Sequence, residues 1–82
     1  LSLYFYTKKD CPLCDKGLVQ LEILQQEKNF NIIIRDIYTD DEWLEKYQIR
    51  IPVVETKEGA VLDEGILSFE LLSSNYEKYI SK

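Results

Sequence analysis

The sequence predicts an α/β domain with elements in the order β-α-β-α-β-β-α, and three stretches carry that prediction. A strand-like run, Leu3-Tyr4-Phe5-Tyr6-Thr7, leads into a helix-like run, Asp15 to Lys28, and then into the β-branched run Phe30 to Ile37. Strand, helix and strand of these lengths make a βαβ unit, which is nearly always parallel and right-handed. Further on, Ile51-Pro52-Val53-Val54-Glu55 and Ala60-Val61-Leu62-Asp63 flank the turn Thr56-Lys57-Glu58-Gly59 and read as a hairpin. A parallel pair joined to a hairpin makes a mixed sheet.

Each element has its own grounds. Leu1 to Thr7 carries apolar side chains on both alternating sets, Leu1/Leu3/Phe5 and Tyr4/Tyr6, which predicts an interior strand covered on both faces. Lys8-Lys9-Asp10 is a polar loop, and Pro12 falls where a first helical turn tolerates proline. The first helix sets Leu18, Leu21 and Leu24 on one stripe with Cys14 and Gly17, and Val19 and Ile23 on a smaller second stripe. Gly17 lets that helix lie close to its sheet at a cost in local stability. Asn29 marks its end. The run Phe30 to Ile37 predicts a largely buried strand. Thr39-Asp40-Asp41-Glu42 has the spacing of a capping box, with Trp43, Leu44 and Tyr47 as the apolar face of a short helix. Gly65 breaks the hairpin's second strand. Ser68 is the expected N-cap of a last helix that turns Phe69, Leu72, Tyr76 and Ile80 inward. Ser73-Ser74-Asn75 weakens it locally.

Composition narrows the function. A chain of 82 residues, 45% apolar and 30% charged, is expected to form a single domain over residues 1–82. The net charge of −5 and the absence of a Lys/Arg patch with interleaved aromatics argue against nucleic acid. The same charge disfavours anionic membrane surfaces, and no apolar run reaches the roughly 18 residues of a membrane span. No signal-peptide pattern is visible at the start. Since the chain opens on Leu1 and contains no methionine, the native start is expected to have been trimmed.

Cys11-Pro12-Leu13-Cys14 holds the only two cysteines, placed between the first strand and the first helix. A thiol at a helix N-terminus meets unpaired N–H groups and the positive end of the helix dipole. Both favour the thiolate, the reactive form. A second thiol three residues on can close a disulfide onto the first. As a structural staple the pair is weak, because so short a loop is worth roughly 2 kcal/mol at most in the chain-entropy model. Small secreted folds use several widely spaced pairs instead. One tight pair suits thiol–disulfide exchange, in a reducing cytoplasm.

This motif in this order of elements resembles the thioredoxin fold in its smallest form, glutaredoxin. The anchors are Thr7 to Cys14, Ile51-Pro52-Val53-Val54, and Gly65 before the last helix. Within the superfamily the chain looks most like small bacterial glutaredoxin-like proteins with a Cys-Pro-Leu-Cys motif and an Arg-Ile-Pro-Val segment, here Arg50 to Val53. The resemblance implies a four-stranded mixed sheet with helices on both faces. It also implies a disulfide oxidoreductase with Cys11 as a partly exposed nucleophile and Cys14 as the more buried resolving thiol. Pro12 tunes the thiolate, Leu13 offers an apolar contact beside it, and Lys8 holds the place of a glutathione-binding lysine. Lys9 reads as a solvated loop residue. Pro52 matches the cis-proline facing the cysteines, which would leave the backbone of Ile51 free to bond substrate. Gly65 and the N–H groups leading to Ser68 would form an anion site for glutathione. The usual Gly-Gly pair is here Glu64-Gly65, and the acid expected at the helix cap is Ser68, so that site departs from the family pattern. The implied partners are a disulfide-containing protein or a glutathione mixed disulfide. Glutathione or a thioredoxin-reductase-like donor would serve as reductant, and the protein would be a monomer without bound cofactor. Two other readings remain. One is a redox-inert interaction domain. The other is a metal or iron–sulfur carrier bridging two chains, since zinc wants four ligands and one chain offers two cysteines and no histidine.

Overall fold

The computed structural model describes residues 1–81. The elements are β1 (Ser2–Thr7), α1 (Pro12–Lys28), β2 (Asn31–Asp36), a 3-10 turn (Ile37–Thr39), α2 (Asp41–Tyr47), β3 (Val53–Glu55), β4 (Val61–Glu64) and α3 (Phe69–Tyr79). The sheet order is β2-β1-β3-β4. β1 runs parallel to β2, with Ser2 opposite Asn31 and Thr7 opposite Asp36, and antiparallel to β3. β3 and β4 form the antiparallel hairpin, with an irregularity between Val54 and Glu55. No helix among the described residues is long and apolar enough to cross a membrane.

Alternation along β1 builds two cores. Leu3 and Phe5 face one side with Val54 and Leu62, under Leu21 and Leu24 of α1 and Leu72 and Tyr76 of α3. Tyr6 and Val53 face the other with Ile37 and Tyr47, under Trp43 and Leu44 of α2. Helices therefore cover both faces of the sheet, as a central β1 with two apolar sides requires. The second side is aromatic. Tyr6 stacks on Tyr47 at 4.1 Å, and the guanidinium of Arg35 lies 3.8 Å from the Tyr4 ring and 4.8 Å from Trp43. Arg35 also donates to the Tyr6 hydroxyl, and the Tyr47 hydroxyl donates to buried Glu55 at 2.6 Å. Burial and that hydrogen bond push the Tyr47 phenol well above its ordinary value.

Two expectations change. The Phe30 to Ile37 run is not a largely buried strand: β2 is an edge strand, and Ile34 is 53% exposed. Only its flanks, Phe30 and Ile37, are buried, because β-branched residues favour a pleated backbone whether covered or not. The α2 cap is Asp40, whose carboxylate accepts the N–H groups of Glu42 and Trp43, while Thr39 belongs to the 3-10 turn. Helix α1 starts at Pro12, the proline expected in its first turn, and its second stripe, Val19 and Ile23, faces solvent. Asn29 ends α1 in the left-handed region, at φ 55°. Helix α3 runs unbroken through Ser73-Ser74-Asn75, where the Asn75 amide donates to the Leu62 carbonyl.

Candidate active site

Asp10, at φ 55°, turns the chain from β1 into α1, a conformation aspartate tolerates better than most residues. The turn makes Cys11 the N-cap of α1, with an extended backbone and a side chain aimed along the helix. Its sulfur accepts the Cys14 N–H at 3.2 Å, and its carbonyl accepts the Asp15 N–H at 3.0 Å. Pro12 stands in the first turn, where the missing N–H costs nothing. Cys11 and Cys14, with Cα atoms 5.2 Å apart, are joined as a disulfide. Cys14 is 1% exposed and packs into the core. Cys11 is 8% exposed, more enclosed than the partly exposed nucleophile the sequence suggests.

Three loops surround the disulfide. Gly17 brings α1 down onto Pro52 and Leu67, for a Cβ there would stand 2.8 Å from Leu67 Cδ1 and 3.1 Å from Pro52 Cγ. Leu13 lies one helical turn earlier on the same face and is 38% exposed. The Ile51–Pro52 peptide is cis. The Ile51 N–H is not free, since it donates to the Tyr47 carbonyl at 3.1 Å. Gly65, at φ 74°, directs its N–H to the carbonyls of Pro52 (2.8 Å) and Arg50 (3.2 Å). That positive φ suits glycine far better than a residue with a Cβ. Lys8 and Lys9 are exposed on the opposite side, where they line a groove of about 440 Å³ with Asp36, Tyr38 and Thr39.

The start of α3 differs from the open anion site that the sequence suggests. Asp63, 9% exposed, accepts the Glu64 N–H at 2.8 Å and the Ser68 N–H at 2.9 Å. Gln20 of α1 accepts the Phe69 N–H at 3.0 Å, and Ser68 caps the Leu71 N–H. Resident oxygens thus hold three of the N–H donors at this helix start, those of Ser68, Phe69 and Leu71. Glu64, a repulsive neighbour for glutathione by sequence, is paired with Arg50 through a 2.8 Å contact. The guanidinium holds the Glu64 carboxyl below its usual range, and the carboxylate raises Arg50 in turn. Sequence reading missed Asp63, Gln20 and the pairing role of Arg50. Asp63 five residues before the Ser68 cap was the one local signal; Gln20 reaches a helix 49 residues away. Among the described residues, no cluster of three or more His, Cys, Asp or Glu is placed to hold a metal.

Comparison with known proteins places this geometry. The sequence model of a family described as "Glutaredoxin-like domain (DUF836)" matches residues 2–78. The chain belongs to the glutaredoxin-like domain family. Solved structures agree on the fold. The X-ray structure of target protein XcR50 from X. campestris is 24% identical with a TM-score of 0.79, over 93% of this chain and 96% of that one. The solution NMR structure of protein Ne2328 from Nitrosomonas europaea is 23% identical with a TM-score of 0.77, over 90% and 88%. A malarial protein, 16% identical, gives 0.67 over 96% of each chain. No curated protein matches the chain. A glutaredoxin-like domain with a Cys11–Cys14 disulfide fits thiol–disulfide chemistry.

Proposed function

We propose that this protein is a thiol–disulfide oxidoreductase that reduces protein or glutathione mixed disulfides with Cys11 as nucleophile and Cys14 as resolving thiol. The observation that carries the reading is the Cys11 sulfur at the N-cap of α1, accepting the Cys14 N–H. In the reduced protein the same N–H and the helix dipole stabilise a thiolate there. Cys11 attacks one sulfur of a substrate disulfide. That S–S bond breaks, a mixed disulfide forms, and the departing thiolate takes a proton from water. Cys14 gives up its proton to solvent and attacks the Cys11 sulfur. The second substrate thiolate leaves and is protonated, and the Cys11–Cys14 disulfide forms. Two electrons pass to the substrate, and an external thiol, glutathione or a dithiol donor, restores the protein. A reducing compartment such as the cytoplasm suits that cycle, and a single chain carries every group it uses. In this reading Pro12, Leu13, Ile51, Pro52 and Gly65 face the substrate from one side of the dithiol and Lys8 from the other. Ile51 contributes its carbonyl rather than its engaged N–H.

The test is the pH dependence of iodoacetamide alkylation of the reduced protein, with the modified cysteine identified by mass spectrometry. Cys11 is expected to react first, with an apparent pKa clearly below the free-thiol value of about 8.5. Equal reactivity of both thiols near that value would transfer the protein to the redox-inert binding class.

A further inference from the structure

The start of α3 is partly filled by the protein's own acceptors. Asp63, Gln20 and Ser68 already accept the N–H groups of Ser68, Phe69 and Leu71, and Asp63 brings its own negative charge to the helix end. Glutathione, with two carboxylates and an ammonium, therefore meets three of those donors already engaged and the Asp63 carboxylate beside them. Large apolar side chains meanwhile stand in solvent on two loops and on the first turn of α1. Ile49 is 93% exposed, Ile66 81% and Leu13 38%. The Gly65 N–H to Arg50 carbonyl bond ties the two isoleucine loops together, with Ile49 and Ile66 each one residue beyond it. Leu13 lies on the face of α1 that Gly17 presses against Leu67, the neighbour of Ile66. The charged pair between these loops, Arg50 and Glu64, neutralises itself.

Resting on the dithiol reading above, we propose that the substrate disulfide belongs to a polypeptide that docks on the Leu13, Ile49 and Ile66 rim, in preference to a glutathione mixed disulfide. The other side of Cys11 specifies the partner further. Lys8 and Lys9 line the groove beside Tyr38 and Thr39, and neither lysine is in an ion pair among the described residues. The Asp36 carboxylate in that groove is engaged by the Tyr38 N–H. The complementary partner carries an apolar side chain on one side of its cysteine and a carboxylate on the other. Exposed isoleucines beside an enclosed disulfide thus act as the reading surface, and the redox steps are those already balanced above.

The experiment oxidises the fully reduced protein, in single turnover, with four disulfides at equal concentration. They are a short peptide disulfide with Leu and Glu flanking its cysteine, made in both orders; the same peptide with Ser at both flanks; and oxidised glutathione. Thiol loss is followed by quenching and mass spectrometry. The better Leu/Glu peptide is expected to react roughly tenfold faster than oxidised glutathione, the factor that burial of one isoleucine carries. In the double variant Ile49→Ser/Ile66→Ser that ratio falls toward one, while Val19→Ser, on the exposed far stripe of α1, leaves it in place. Lys9→Glu slows the Leu/Glu peptide more than the Ser peptide. Oxidised glutathione reacting as fast as the peptide, or a ratio unmoved by the double variant, overturns the proposal while leaving the dithiol reading intact. If no disulfide oxidises the protein, both fall.

Discussion

At the N-terminus of α1 the acceptor of the first turn is the sulfur of Cys11; at the N-terminus of α3 the acceptors are the oxygens of Asp63, Gln20 and Ser68. The two helices pack on each other, and both present the positive end of a helix dipole. The sulfur changes its bonding and its charge with redox state. The oxygens keep theirs. One fold therefore uses the same electrostatic device twice, once for reactivity and once to lock a loop in place. On the substrate preference proposed above, the division also places selectivity: the locked end disfavours small anions, and the reactive end is left to whatever the surrounding loops can hold.

The sharpest way to break that comparison is to remove the sulfur. Cys11→Ser is expected to abolish disulfide reduction altogether. Cys14→Ser should stop after the first exchange and accumulate a mixed disulfide visible by mass spectrometry. Full turnover in Cys11→Ser would mean the α1 end is structural, like its counterpart. Next in size is Asp63→Ala, which strips two N–H groups of their acceptor. A loss of about 1–3 kcal/mol in urea unfolding is expected, with the alkylation pKa of Cys11 essentially unmoved. A large pKa change would show that the two ends are not separate. Gly17→Val probes the contact that joins them. Its side chain meets Leu67 and the Pro52 ring, so roughly 1–3 kcal/mol of destabilisation should appear, the usual cost of overpacking.

The smallest effect belongs to the Arg50–Glu64 pair, half in solvent and worth up to about 1 kcal/mol. The Glu64 carboxyl is held below its ordinary value of 4.5, so the unfolded state binds the proton more tightly. The contribution is complete above pH 4.5 and fades as pH falls through the lower folded value. Urea midpoints of the wild type and Arg50→Ala should therefore converge under acid. Midpoints that differ equally at both ends of the range would reveal another role for Arg50.

How much of this was legible in the sequence depended on range. Local patterns read well: the β1–α1 junction at Cys11, the Asn29 stop and the Ser68 cap all announce themselves within a few residues. The edge position of β2 did not, because a β-branched run looks the same whether a helix covers it or water does. The Asp40 cap was displaced by one residue, since Thr39 and Asp40 offer competing oxygens at adjacent positions. At the site, Cys11, Pro12 and Cys14 stood out by spacing. Gln20 did not, because a polar helix residue gives no hint of the distant N–H it will meet. Asp63 looked like a strand's last residue until the chain turned back over it.

The position of Trp43 has a practical consequence. It projects from α2 onto Tyr6 and Arg35, while Cys14 belongs to the core on the other side of the sheet. Disulfides and thiols quench indole emission only at close contact, and the sheet layer intervenes. The chain's single tryptophan is therefore an optical reporter of folding that does not register the oxidation state of the cysteines. Unfolding curves of the oxidised and reduced protein can be read on one fluorescence scale, and any offset between them is a true difference in stability.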